Sequence, residues 1–320
     1  MKYFIAGHNG MVGRAVMQKF QNEGKLDLLT ASRQDLDLTS QKEVLEFLRE
    51  NKPDEIIICA AKVGGIQFNN DYPADFIYDN LMIQTNLING AHLSGINKLL
   101  FLGSSCIYPK ICDQPIREDK LLSGYLEPSN EAYAIAKIAG IKMCESYNKQ
   151  FKRDYRSLMP TNLYGPGDNF DLETSHVVPA LMRKIHEAKV RQQKKVEIWG
   201  SGKPKREFLH VNDMASACFF VSNLDKKVYS DSTLDNFSHL NVGTGFDISI
   251  EHLAKLMSNI IGYEGKLNFD NKRLDGTPRK LLNVDKLRSL GWNYEIDLEE
   301  GLESTYLWFL ESIDKIKPDA

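Results

Sequence analysis

The chain has little that would staple it, anchor it or give it one charge. Its five cysteines, Cys59, Cys106, Cys112, Cys144 and Cys218, are odd in number and never fall in CxxC spacing. That argues against a disulfide framework or a zinc site and for reduced thiols in a cytosol. No apolar run approaches transmembrane length. Forty Lys and Arg stand against 43 Asp and Glu, a net charge of −3, so no broad basic surface for nucleic acid is expected. There is no internal repeat and no low-complexity segment. The N-terminus reads directly as a strand, so no signal peptide is expected. What remains is 320 residues, 42% hydrophobic and 26% charged, ordinary for an enzyme with a large core.

The stretch that organises the rest is 129–151, SNEAYAIAKIAGIKMCESYNKQF. Ser129 and Asn130 are good N-caps after Pro128, and apolar residues then recur at helical spacing. Tyr133 and Lys137 lie four residues apart, one above the other on one helix face. A phenol loses its proton near pH 10, and a cation beside it favours the phenolate, which makes Tyr133 a usable acid or base. Such a pair is also common on solvated helix faces, so its context must decide.

The context is a run of strand–helix units. Residues 2–6 read as a strand, followed by Gly7-His8-Asn9-Gly10-Met11-Val12-Gly13 and an amphipathic helix over 11–21. Gly7 permits a tight turn, Gly10 lets the backbone approach a pyrophosphate, and Gly13 lets helix pack on strand. The strand 26–31 ends in Ser32-Arg33; a basic residue there suits the 2′-phosphate of NADP. Thr39 caps a helix over 39–51, 55–61 is a buried strand, and 62–73 reads as a loop. A helix over 75–94 leads to a strand at 98–103, which ends in Ser104, Ser105 and Cys106. After the organising helix comes a strand at 156–160 and the turn-rich exit Thr161-Asn162-Leu163-Tyr164-Gly165. This alternation predicts an α/β fold, a Rossmann-type doubly wound parallel sheet. Beyond it the pattern is mixed: helices at 176–189, 212–222, 250–261 and 298–313, strands at 196–199, 206–211, 239–243 and 267–270. We therefore expect residues 1–165 to bind a dinucleotide, with 206–246 returning to that domain. Residues 166–205 and 247–320 would form a smaller mixed α/β substrate domain.

Gly7, Gly10 and Gly13, then Ser104, then Tyr133 and Lys137, in this order, resemble the extended short-chain dehydrogenase/reductase family. Blocks at 7–13, 60–66, 72–78, 103–110, 133–140, 159–166, 175–180, 199–202, 206–211 and 275–282 extend the resemblance over nearly the whole chain. They sharpen it to the branch that epimerises GDP-4-keto-6-deoxy-D-mannose at C3 and C5 and then reduces its C4 ketone with NADPH. The resemblance implies roles. Ser104 and Tyr133 would bond the C4 oxygen, and Lys137 would keep Tyr133 acidic. Cys106 would be the base and His176 the acid of epimerisation. Thiol and imidazole have reference pKa values near 8.5 and 6.5, so both change charge near neutrality at modest cost. NADP(H) would be held by Gly7, His8, Asn9, Gly10, Met11, Val12, Gly13, Arg33, Leu102, Gly103, Ser104, Ser105, Lys137, Pro160, Thr161, Asn162, Leu163 and His176. Asn9 departs from members with a basic residue there, which leaves Arg33 to hold the 2′-phosphate with less help. The GDP-sugar would meet Lys184, Trp199, Arg206 and Asp275. A homodimer through helices 75–94 and 129–151 is implied. A dehydratase of the same superfamily would need an acidic pair where Ser105 and Cys106 stand. A binding protein that senses NADP would need neither Tyr133 nor Lys137. No metal is expected, since nothing has metal-ligand spacing.

Overall fold

A computed structural model of the chain describes residues 1–270 and 276–313. Its first half follows the predicted alternation. β1 (Tyr3–Ala6) leads through the glycine turn to α1 (Met11–Asn22). β2 is only Leu28–Leu29, and α2 (Gln41–Asn51) is capped by Ser40, whose hydroxyl accepts from the Glu43 N–H. The expected cap, Thr39, is used elsewhere: its N–H and hydroxyl both donate to Asp37 Oδ1, at 2.9 and 2.8 Å. β3 (Glu55–Ile58) follows. The stretch predicted as loop contains a short helix, α3 (Ile66–Asp71). The Asn69 amide supports its start by donating to the Gly64 and Gly65 carbonyls at 2.8 and 3.0 Å. α4 (Pro73–Leu93), β4 (Lys98–Leu102), α5 (Glu131–Phe151) and β5 (Asp154–Pro160) complete the regular part. α5 is entered through a 3₁₀ turn at Pro128–Asn130 with no side-chain cap; Ser129 bonds Glu127 instead.

The second half adds β6 (Asn162–Tyr164), α6 (Val177–Val190), β7 (Lys195–Trp199), β8 (Lys205–His210), α7 (Val211–Asn223) and α8 (Lys226–Ser232). β9 (His239–Val242), β10 (Asp247–Ser249), α9 (Ile250–Ile261), β11 (Lys266–Asp270), β12 (Arg279–Lys280), α10 (Asp285–Ser289) and α11 (Leu298–Ser312) follow.

Six strands form one parallel sheet in the order β2-β1-β3-β4-β5-β9. It is buried on both faces, which is why its strands are continuously apolar. Successive side chains feed opposite layers. Phe4 joins Ile56, Leu99 and Tyr155 on one side; Tyr3 and Ile5 join Leu100, Val16 and Phe20 on the other. α7 lies in this second layer, with Phe219 edge-on to Phe20 at 5.2 Å. The strand order reverses between β1 and β3, so the glycine turn after β1 stands at the switch point where doubly wound sheets bind ligands. The rest is smaller. β8 is flanked by β10 and β12 over its first half and by β6 over its second, β7 pairs β11, and a third core of Phe170, Met182, Phe208 and Leu253 lies beneath. Among the described residues no helix is long and apolar enough to cross a membrane.

Candidate active site

The glycine turn is shaped by what a side chain would strike. Gly7 has φ +87°, and a Cβ there would stand 2.6 Å from the Ala60 nitrogen. A Cβ on Gly13 would overlap the Gly7 carbonyl, so α1 packs directly on the turn. Gly10 differs: its N–H donates to the Gly7 carbonyl at 3.1 Å, and a Cβ would meet nothing nearer than 3.5 Å. Its outer face is therefore open, at the positive end of α1, where the free N–H groups of a first turn suit a pyrophosphate. The residues present thus fit a dinucleotide. Arg33 is exposed beyond β2, and Asp37 feels its charge. His8 keeps a buried Nδ1 with no partner among the described residues.

β4 delivers the next group. The Gly103 N–H bonds the Leu158 carbonyl at 2.9 Å, and a Cβ on Gly103 would overlap the Met159 sulfur. Ser104 then caps the 3₁₀ turn Ser105–Ile107, its Oγ accepting from the Cys106 N–H at 3.4 Å. From α5 come Tyr133 and Lys137. Lys137 is buried; its Nζ donates to the Leu102 carbonyl at 2.9 Å and lies 5.0 Å from the Phe101 ring and 5.7 Å from the Tyr133 ring. Burial lowers it to about 8. The Ser104 hydroxyl favours the Tyr133 phenolate, yet burial outweighs it and pushes the phenol well above the ordinary value. This differs from the expectation of a phenol brought toward neutrality: Tyr133 is held protonated, the form that can donate. Cys106, 5% exposed, is also raised by burial, against Lys280, Ser104, Lys137 and its own turn.

His176 begins α6 with extended backbone. Its lead-in is tied to the loop after β3, for the Gly65 N–H donates to the Thr174 carbonyl at 2.8 Å. His176 is exposed by surface area, yet the chain packed around it disfavours the charged ring and lowers its pKa. Thiol and imidazole are therefore moved apart, away from the pH 7 poise expected of them. Pro160 ends β5, and the Thr161 N–H bonds the Val242 carbonyl at 2.9 Å. Asn162 and Leu163, expected in a turn, lie in β6, with the Asn162 amide donating to the Glu207 carbonyl at 2.8 Å. Lys184 holds its Nζ 4.3 Å over the half-exposed Trp199 ring. Arg206 lies in β8, directly opposite Lys280 in β12. Asp275 lies outside the described residues.

Sequence reasoning passed over two groups here, Glu207 and Lys280. Glu207 is fully buried and accepts N–H groups from Gly245 at 2.7 Å and Leu282 at 2.9 Å, with burial raising its carboxyl to about 7. Lys280 sits within a block that carried the resemblance, but only Asp275 was singled out from it. Among the described residues no group of three or more His, Cys, Asp or Glu could hold a metal.

Comparison with known proteins fits this geometry. A GDP-L-fucose synthase of Escherichia coli (strain K12) is 54% identical over 316 residues, 99% of this chain and 98% of that protein. Among solved structures, a GDP-D-glycero-L-gluco-heptose synthase from Campylobacter jejuni in the presence of NADPH is 37% identical, with a TM-score of 0.89, 97% of this chain and 98% of that one being covered. A GDP-L-fucose synthetase from Naegleria fowleri bound to NADP is 26% identical, with a TM-score of 0.87 and coverage of 98% and 96%. The model of the NAD dependent epimerase/dehydratase family matches residues 3–242, from the first residue of β1 to the last of β9. Because that match spans the large sheet from its first strand in sequence to its last, the chain belongs to the NAD-dependent epimerase/dehydratase family.

Proposed function

We propose that the chain converts GDP-4-keto-6-deoxy-D-mannose to GDP-L-fucose, by epimerisation at C3 and C5 and then reduction at C4, in one NADP(H)-dependent site. The observation that carries this reading is the position of Ser104. Its hydroxyl caps the turn that presents Cys106 and acts on the Tyr133 phenol, so one oxygen-binding pair stands beside one proton carrier. Ser104 and Tyr133 would grip the C4 oxygen while enolate charge develops there. Cys106 would take a ring proton next to the ketone, and His176 would return one from the opposite face. Both groups rest neutral, whereas the reaction needs thiolate and imidazolium, the same total charge with one proton moved. When bound, NADPH supplies the hydride that reduces C4. Tyr133, held protonated by burial, would then donate to the new alkoxide. Lys137, fixed on the end of β4, would steady the cofactor's ribose.

On this reading residues 1–165, with 206–246, hold the cofactor, and 166–205 and 247–320 hold the GDP-sugar. The Lys184–Trp199 pair would cover a flat base, and Arg206 would fork onto the diphosphate. A homodimer would use α4 and α5, which expose Tyr78, Leu93, Ile135 and Phe151. The test is proton NMR of the reaction in heavy water with NADPH. Solvent deuterium should enter C3 and C5 but not C4. Product with protium at C3 and C5, or no NADPH oxidation at all, would overturn the assignment.

A further inference from the structure

We infer that Gly65, in the loop after β3, is a positioning residue that sets the place of His176; the inference rests on the proposed role of His176 as the acid of epimerisation. The block at 60–66 carried the family resemblance, and no residue of it enters the chemistry proposed above. Gly65 precedes α3 and meets the lead-in to α6 backbone to backbone. Its N–H donates to the Thr174 carbonyl at 2.8 Å. A Cβ there would stand 2.6 Å from the Ser175 carbonyl oxygen, where ordinary contact begins at 3.4 Å, so an alanine needs about 0.8 Å that the fit does not leave. The φ of −64° is open to any residue, so it is the contact and not the backbone conformation that excludes a side chain.

Both sides of the contact are braced. The Thr174 N–H and hydroxyl donate to Asp171 Oδ1 at 2.9 and 2.8 Å, and the hydroxyl accepts from the Asn169 amide at 2.9 Å. The Ser175 N–H bonds the Asp171 carbonyl at 3.0 Å, and His176 opens α6, its carbonyl accepting from the Ala180 N–H at 3.1 Å. Across the contact, the Asn69 amide holds the Gly64 and Gly65 carbonyls, and α3 packs on the 3₁₀ turn that leads into α5 and Tyr133. Two short, stiff pieces therefore meet at one glycine. The width of that contact fixes the backbone of His176 relative to the helix that carries Tyr133, and a methyl group on Gly65 would pass its displacement to the residue after Ser175.

The test is a double-mutant cycle in the full chain, read on inversion at C3 and C5. Gly65→Ala should slow inversion about a hundredfold, the cost of misplacing a reacting group by about 1 Å. Reduction of an already epimerised intermediate should fall less than about tenfold. In a chain that already carries His176→Asn, Gly65→Ala should cost inversion less than about threefold. An equal factor in both backgrounds overturns the inference, since damage to the fold or to Tyr133 would act without His176. Where Gly65→Ala does not fold, Thr174→Ala, which takes the hydroxyl from Asp171 and Asn169, carries the same pattern at about tenfold. A readout without substrate separates this inference from the functional reading. The His176 Cε1–H resonance, identified by its loss in His176→Asn, should move in Gly65→Ala while that of His239 stays. A parent chain without inversion would sink the functional reading alone, and an unmoved His176 resonance would sink the role of Gly65.

Discussion

Lys137 should carry a stability cost whose size and pH dependence follow from its surroundings. The residue is 3% exposed, and burial lowers its ammonium from 10.5 to about 8. That gap, about 2.5 pH units at about 1.4 kcal/mol each, amounts to about 3 kcal/mol. Below about pH 8 both native and unfolded chains hold the proton, and the native state bears the whole penalty. Between about 8 and 10.5 the unfolded chain holds a proton the native chain has released, so stability rises with pH there. Above 10.5 the penalty is gone. Urea unfolding of parent and Lys137→Met across this range isolates the effect. The Met variant loses the bond to the Leu102 carbonyl, which offsets the comparison by a near-constant amount. The difference should still change in the parent's favour by about 3 kcal/mol from pH 7 to above 10, while the variant loses at least about a hundredfold in reduction rate. A difference that stays flat over that range would refute the reasoning, because the lysine would then titrate alike in both states.

Two further outcomes follow from the site. Cys106→Ser should slow solvent exchange at C3 and C5 by about a hundredfold or more, with less than about tenfold effect on reduction of an already epimerised intermediate; equal losses would count against a proton-transfer role. Arg33→Ala should raise the KM for NADPH about tenfold and leave that for NADH nearly unchanged, since it removes one charge-assisted contact to a phosphate. An unchanged ratio of the two constants would show that Arg33 does not read the phosphate.

What the sequence made legible was what acts locally. Three glycines in a seven-residue turn and a Tyr four residues before a Lys need only a strand and a helix to gain meaning, and both elements stand where the periodicity placed them. Short elements were less visible. α3 hides in a stretch of Gly and Asn, and its start is supported by the Asn69 side chain, which no propensity counts. β6 is three residues long and exists because β8 arrives beside it from more than forty residues away. At α2 the expected cap, Thr39, is claimed by Asp37, and Ser40 caps the helix in its place. The long-range electrostatics were the least accessible. Nothing in the spacing of Cys106 and Lys280 says that a distant strand brings one charge to the other, or that burial would set the thiol and the imidazole apart.

β5 ends at Pro160 and β6 starts at Asn162, so a single residue, Thr161, joins the large sheet to the small one. That residue is pinned twice, by its N–H to the Val242 carbonyl at 2.9 Å and by its hydroxyl to the Glu207 carbonyl at 3.2 Å. A joint so short and so tethered leaves the backbone little slack where it passes from one sheet to the other. The crossing is accordingly a fixed point, at which Pro160, Thr161 and Asn162 keep their places relative to both sheets.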